Sequence, residues 1–525
     1  MTKRMAKSSK VLSIILAVYL LTNILAINLI SAASTPIRGG ALVVGQTILP
    51  RTLDPHMETG GPSFRSTDWL FYDTLVELDS NGNLRPSLAE SWQISKDEKE
   101  ITFNLRKNVV FHDGTKFNAH AVKYNIDRIL NPATKCPAVS LMNALDSVKV
   151  VDDYTLKVNL KYPDSIIMMV FAQRPGGMII SPAAIEKYGK DLGLNPVGTG
   201  PFMLEEWVVG DHITAKRNPN YWRIGADNKP LPYLDKVIVR AVPDDNVKIA
   251  ELQRGTIQFI DNIPAKDVAA IKKNRKLKTI ESVTWWRHIA LNVNKAPLND
   301  KKVRHAIAYA IDNERIAKAT AFGLGYVTPT ITNERVVGYD PKLPIYKYNL
   351  KKAQQLMKEA GYAGKQLNLK LTFYSNDPER AIAELVQAQL SKIGIKVSIE
   401  FMETSAWIDQ MLSGKGEMGI SRIEVPYAHP WMLISERFQP WSLGGRNWAG
   451  YENSRVIELL SALRKASDKN TQSDLVKQIS QIVIEDCPYI SLYHQKALRG
   501  ARSNLQGIEM ELEGGWKFYQ AWFDK

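Results

Sequence analysis

Three observations predict an α/β protein built from unequal lobes. The first is a strand–helix–strand unit late in the chain. Leu367, Leu369, Leu371 and Phe373 alternate with more polar residues, as do Ile395, Val397, Ile399 and Phe401, and both runs read as half-buried strands. Between them Asp377-Pro378 opens a helix with Ile382, Leu385, Val386 and Ile393 on one face, and Gly394 stops it. Joints this short imply a crossover that leaves the strands parallel. The second observation is a contrast, because the first half carries hairpins and longer irregular stretches instead. The third is length: 525 residues exceed the roughly 100–200 that one domain takes.

Residues 1–33 stand apart. Lys3, Arg4, Lys7 and Lys10 precede an apolar run from Val11 to Ile30, and the small residues Ser31-Ala32-Ala33 follow. That order is the layout of a cleavable secretory signal peptide. A retained anchor is the competing reading, since the run approaches a bilayer-spanning length. Asn23 and Asn28 inside the run, and its small-residue exit, favour cleavage. No cysteine lies near the exit, which argues against a lipid anchor, so a periplasmic or equivalent extracytoplasmic protein is expected.

Beyond the leader, Ala41–Gly45 reads as an apolar strand running into a loop that ends at Pro55. Ile101, Phe103 and Leu105 alternate as a strand. Asn118 then caps a helix with Val122, Ile126, Ile129 and Leu130 on one face. Asp152-Asp153 turns the chain between Val148–Val151 and the alternating Leu156, Val158 and Leu160, which predicts a hairpin. Asn299 is expected to cap a helix carrying Val303, Ala306, Ile307 and Ala310. Asn349 is expected to cap another, with Ala353 and Met357 inward and Gly361 as its stop.

With 45% hydrophobic and 23% charged residues the chain has the composition of a folded protein rather than a disordered one. Its net charge of +14 raises nucleic acid or an anionic membrane as partners. The charges are interspersed, however, and the densest run, Lys272 to Lys278, reads as a solvated helix end, so nucleic acid is set aside. Cys136 and Cys487 are the only cysteines, too few for a disulfide scaffold, and are read as buried free thiols.

Motifs of catalysis are missing. There is no phosphate-cradling GxxxxGK[ST], GxSxG elbow, HExxH or CxxC. Gly198-Thr199-Gly200 lacks the third glycine of a dinucleotide turn and reads as a tight turn. His112-Asp113-Gly114 reads as a turn rather than half a metal site. The eight histidines are scattered, with none at i,i+4. Tryptophan stands out instead: six of twelve fall between Trp285 and Trp448. Trp285 and Trp286 are adjacent, so on an extended segment they face opposite sides and cannot share one core. Aromatic walls with a few charged groups suit a cleft for a polar, partly apolar ligand.

Five segments, in order, resemble the extracellular solute-binding proteins of family 5, the peptide, oligopeptide and nickel class of ABC importers. They are Leu84–Leu130 (LRPSLAESWQIS…), Asn195–Trp222 (NPVGTGPFMLEEW…), Leu291–Gly325 (LNVNKAPLNDKKVRHAIAYAID…), Tyr348–Tyr362 (YNLKKAQQLMKEAGY) and Ile482–Tyr493 (IVIEDCPYISLY). The resemblance implies a periplasmic-binding-protein-like clamshell with an extra subdomain in the first lobe. Lobe I would comprise 34–66, 197–287 and 489–525, its subdomain 67–196, and lobe II 288–488. A small solute would lie between the lobes, and a monomeric closed form would dock on a membrane permease driven by an ATPase. No cofactor, catalysis or nucleic acid is implied.

Peptide-binding members of that family carry an aspartate in lobe II for the peptide ammonium. Here the matching stretch, Met418–Ile434 (MGISRIEVPYAHPWMLI), has none, and Glu424 is its only acid. Either Glu424 takes the ammonium or the solute is not an ordinary peptide. A peptide-like solute is preferred, with an oligosaccharide, an opine or a nickel-type metal chelate as alternatives. An exported hydrolase using His429 and a nearby serine is the remote one. The candidate ligand contacts are Met57, Trp285, Trp286, Arg287, Trp407, Glu424, Tyr427, Trp431, Arg446 and Trp448.

Overall fold

The computed structural model describes residues 35–58, 61–137, 139–173, 176–374, 378–425, 429–440 and 446–525. The leader, Asp377, Tyr427 and Trp441 lie outside that set. Among the described residues no helix is long and apolar enough to cross a membrane.

The chain opens with β1 (Ala41–Gln46), the expected apolar strand. It then builds a four-stranded antiparallel sheet from β2 (Ala89–Ile94), β3 (Glu100–Leu105), β4 (Leu145–Asp152) and β5 (Thr155–Leu160). The alternation sets its register: Ile101 lies opposite Val158 and Phe103 opposite Leu156, all four buried. Packed on this sheet is α1 (Ala119–Leu130), whose first turn is closed by Asn118 accepting the Ala121 N–H at 3.0 Å.

A close approach brings the chain back. A Cβ on Gly198 would sit 2.3 Å from the Phe71 carbonyl oxygen, so only glycine fits there. Next come β6 (Phe202–Val208), β7 (His212–Arg217), β8 (Lys236–Ala241), α2 (Asp245–Arg254) and β9 (Phe259–Ile260). β1 pairs in parallel with β8 on one edge and β9 on the other. Two strands longer than any others then dominate. β10 (Leu277–Leu291) is the first of them. The chain continues through α3 (Asn313–Thr320), β11 (Leu367–Phe373), α4 (Glu379–Leu390), β12 (Ile395–Phe401), α5 (Thr404–Leu412), β13 (Met418–Val425) and α6 (Pro430–Phe438). After α7 (Ser454–Lys465) and α8 (Lys469–Asp486) it ends in β14 (Tyr489–Arg502) and short strands.

β11, α4 and β12 are the anticipated crossover, with Leu367 through Phe373 in parallel register against Ile395 through Phe401. One helix start differs by a residue. Asp300, not Asn299, caps Lys301–Ala310 by accepting the Lys302 N–H at 2.8 Å, while Asn299 remains in the preceding turn with its own N–H on the Lys295 carbonyl. Cys136 and Cys487 are both buried, as expected.

The main sheet runs β12-β11-β13-β10-β14-β9-β1-β8-β7-β6, with Gly325–Tyr326 beside β14 as an eleventh strand. Two lobes flank the long pair. Leu42, Phe71, Phe202, Val237 and Phe259 pack on the first side, and Leu291, Val303, Leu371, Val386 and Ile395 on the second. β10 serves both: Leu277–Glu281 pairs only with β14, whereas Thr284–Leu291 also pairs with β13. Bulges between Glu281 and Thr284 and between Arg287 and His288 interrupt it where the lobes meet. The four-stranded unit reaches the second lobe too. Its Phe103 and Phe171 belong to one continuous apolar cluster with Trp407 and Leu433, and Asp164 pairs with Arg464 of α7 at 2.8 Å.

Candidate functional site

The lobes enclose a cavity of about 770 Å³, within the span that holds a small organic solute. Strand geometry builds its second-lobe wall. Residues two apart on a strand share a face, as do residues directly opposite on a neighbouring strand. Trp285 lies opposite Glu424 and Arg287 opposite Arg422 in the β10–β13 register, and all four line the cavity. On the other flank of β10, Gln495 of β14 lies opposite Trp285 and lines it as well. Trp286 points the other way, 1% exposed.

The wall is cationic by construction. The Arg422 guanidinium sits 4.6 Å from the centre of the Trp285 ring and that of Arg287 5.4 Å. Both donate to one oxygen of Glu379, Arg287 Nε at 3.2 Å and Arg422 at 3.3 Å. Burial opposes charge on Glu379, yet the two guanidiniums hold its carboxyl below the usual range. Arg287 is further fixed by donating to Gln495 Oε1 at 2.7 Å. One carboxylate therefore serves two guanidiniums, and Arg422, with 30% of its side chain exposed, is the one open to a guest. Arg499 of β14 adds a third. Burial brings it down to about 10 against the opposing pull of Asp261 and Glu424, and it donates to the backbone oxygens of Asp261 and Gly514.

Glu424 differs from these. Among the described residues no side chain donates a hydrogen bond to its carboxylate, although its charge favours protonated Arg422 and Arg499. A Cβ on Gly61, across the cavity, would come within 3.6 Å of Glu424 Oε1, so first-lobe backbone closes over this carboxylate. The first-lobe acid Asp261 is already saturated. It accepts from Lys248 Nζ at 2.9 Å, the Thr47 N–H at 2.9 Å and Ser63 Oγ at 3.3 Å, which ties that wall together.

Trp285, Arg287 and Glu424 thus meet in the cavity, and among the described residues the other anticipated contacts do not line it. Trp286, Trp407, Trp431 and Trp448 belong to the apolar core behind the wall. Trp407 is fully buried, 5.2 Å from the Trp448 ring, and the absence of a side chain at Gly419 makes room for it. Trp431 packs under the Arg464 guanidinium at 4.7 Å. These four are corrections to the sequence expectation: the strand of Trp286, the helices of Trp407 and Trp431 and the turn at Trp448 all present them inward. Met57 sits on its loop away from the cavity wall, and Arg446 is exposed near Glu436 at 3.8 Å. Tyr427 falls outside the described residues.

The histidine–serine pair considered for hydrolysis exists, but elsewhere. His429 Nε2 lies 3.1 Å from Ser165 Oγ at the contact between the four-stranded unit and α7. His429 Nδ1 accepts the Trp431 N–H, Nε2 is also met by the Gln472 amide nitrogen at 2.9 Å, and Ser165 Oγ donates to the Arg464 carbonyl at 2.7 Å. Burial keeps this imidazole neutral, at about 4. Neither nitrogen is free to take a proton from the serine. Among the described residues no three His, Cys, Asp or Glu side chains cluster as metal ligands.

Comparison with known proteins agrees with a solute cleft. Residues 83–441 match the model of the bacterial extracellular solute-binding proteins, family 5. The chain belongs to this family. The glutathione-binding protein GsiB of Salmonella choleraesuis is 33% identical over 483 residues, which covers 90% of this chain and 92% of GsiB. The Helicobacter pylori periplasmic binding protein DppA in complex with the peptide STSA superposes with a TM-score of 0.81 at 26% identity, covering 93% of this chain and 99% of DppA. The Bacillus subtilis oligopeptide-binding protein AppA in complex with a nonapeptide gives 0.80 at 27% identity, covering 94% and 100%. As a family 5 solute-binding protein the chain is the substrate-binding component of an ABC importer, two-lobed and partnered with a membrane permease and its ATPase. The relatives are binding proteins rather than enzymes.

Arg422 and Arg499 of this family 5 protein were missed by sequence reasoning. For Arg422 a signal was present: it stands two residues before Glu424 on an alternating strand, hence on the same face. Arg499 comes to the cavity only through the pairing of β14 with β10, which no local pattern announces.

Proposed function

We propose that the cavity binds a peptide-like solute bearing both an ammonium and a carboxylate, and that the solute leaves chemically unaltered. The observation that carries this reading is the Glu424 carboxylate with no side-chain donor among the described residues, two positions from the partly exposed Arg422 guanidinium, with the Trp285 ring beside both. Glu424 would take the ammonium, Arg422 the carboxylate, and Trp285 the apolar body. Glutathione and the two peptides named for the relatives are consistent with such a solute. Binding shifts the lobes toward closure only through contacts made in the closed state. Closure also excludes water, which strengthens charge-assisted bonds. The hinge of this reading lies in β10 and β14 near Arg287 and Tyr489. The mature protein acts as a periplasmic monomer without a cofactor, exported by residues 1–33.

Isothermal titration with short peptides, their N-acetylated forms and oligosaccharides tests the reading. Free peptides are expected to bind, and acetylation to weaken binding by at least about tenfold, ~1.4 kcal/mol, with Glu424→Gln insensitive to acetylation. Binding of oligosaccharides alone, or solute recovered cleaved after incubation, would overturn it.

A further inference from the structure

Phe322 stands where a helix ends, and its backbone is strained. Immediately after α3, whose last turn closes at Ala321, its φ is +49, in the left-handed region that glycine or asparagine normally fills at this position. A non-glycine residue is held there only against a steric penalty. Glycine is available one step away, since Gly323 follows at φ +82 in open space. Core packing does not hold Phe322 there, since its ring joins none of the apolar clusters and is 60% exposed. What it does touch is the cavity, at whose mouth it stands as second-lobe lining. The first lobe contributes Ile48 there, itself 58% exposed, and Phe64.

We infer that Phe322 is a specificity-determining residue that covers an apolar side chain of the solute at the cavity mouth, together with Ile48 and Phe64. The inference rests on the peptide-like reading of the same cavity and adds the class of peptide: one whose charged ends meet Glu424 and Arg422 and whose side chain is bulky and apolar. Exposed apolar surface on both lobes is removed from water when such a side chain sits between them, and this supplies the attraction. A small or polar side chain leaves Phe322 and Ile48 wet. The left-handed turn at Phe322 thus leaves an aromatic ring lining the cavity instead of packed in a core.

Titrating wild type, Phe322→Gly and Phe322→Ala with paired tripeptides that differ only in leucine against alanine tests this, alongside melting of the unliganded proteins. Wild type is expected to prefer the leucine peptide about tenfold, ~1.4 kcal/mol, and Phe322→Gly to lower that preference below about twofold. Glycine suits φ +49, so Phe322→Gly should melt at or above the wild-type temperature, and Phe322→Ala, which keeps the strain, should lose the same preference. An unchanged preference in Phe322→Gly, or a wild type without preference, overturns the inference. A melting temperature several degrees lower in Phe322→Gly does so too, because the ring would then be structural. A wild type that binds oligosaccharide and no peptide at all instead overturns the peptide reading beneath it.

Discussion

The cavity wall and the aromatic core behind it use the same residue types and share β10, and they solve opposite problems. On the wall, Trp285 lies beside two guanidiniums, Glu379 is shared by two arginines, and Glu424 has no side-chain donor among the described residues. In the core, Trp286 donates to Ser491 Oγ at 2.8 Å and stacks on His288 with ring centres 4.1 Å apart, while Trp407 and Trp448 meet edge to face. The core is packed for its own sake. The wall keeps polar capacity in reserve, which is costly in an empty protein and useful once a solute arrives. A tryptophan therefore identifies a cleft only when unspent charge accompanies it.

The contrast can be broken by substitution. Trp407→Ala should cost about 3–5 kcal/mol of stability, read by denaturant unfolding, with solute affinity of the folded fraction unchanged. A loss of affinity with stability intact would move Trp407 to the wall. Next is acid. Burial depresses His429 to about 4, so the unfolded chain binds its proton more readily, and the stability it contributes is present above about 6.5 and lost as pH falls toward 4. His429→Gln should flatten the fall in unfolding free energy across that window by up to roughly 3 kcal/mol. An identical acid profile would show that His429 is not held neutral. Arg422→Met should weaken peptide binding about tenfold, ~1.4 kcal/mol, and also lower the melting temperature, since buried Glu379 loses one of its two guanidiniums. A several-degree melting loss with unchanged binding would place Arg422 in the structure alone. The smallest effect belongs to Arg446→Ala, within about 0.5 kcal/mol for both stability and binding, since its ion pair is exposed.

Local signals carried most of the fold. Alternation located the β11–α4–β12 crossover and the β4–β5 hairpin, and Asn118 and Asn349 cap their helices as their positions predict. Adjacency separated Trp285 from Trp286 for the same reason, because neighbouring residues on a strand face opposite sides. At Asn299 the signal was off by one, since two capping residues stood side by side and only tertiary context chose between them.

The sequence by itself determined most of the secondary structure, the parallel crossover and the family, all of which depend on short-range periodicity or on long runs of residue order. Only the tertiary structure decided which tryptophans are core and which is wall, brought Arg499 beside Glu424, and left Phe322 over the opening. Those outcomes depend on register between strands more than a hundred residues apart and on depth of burial, and neither is encoded in any local pattern.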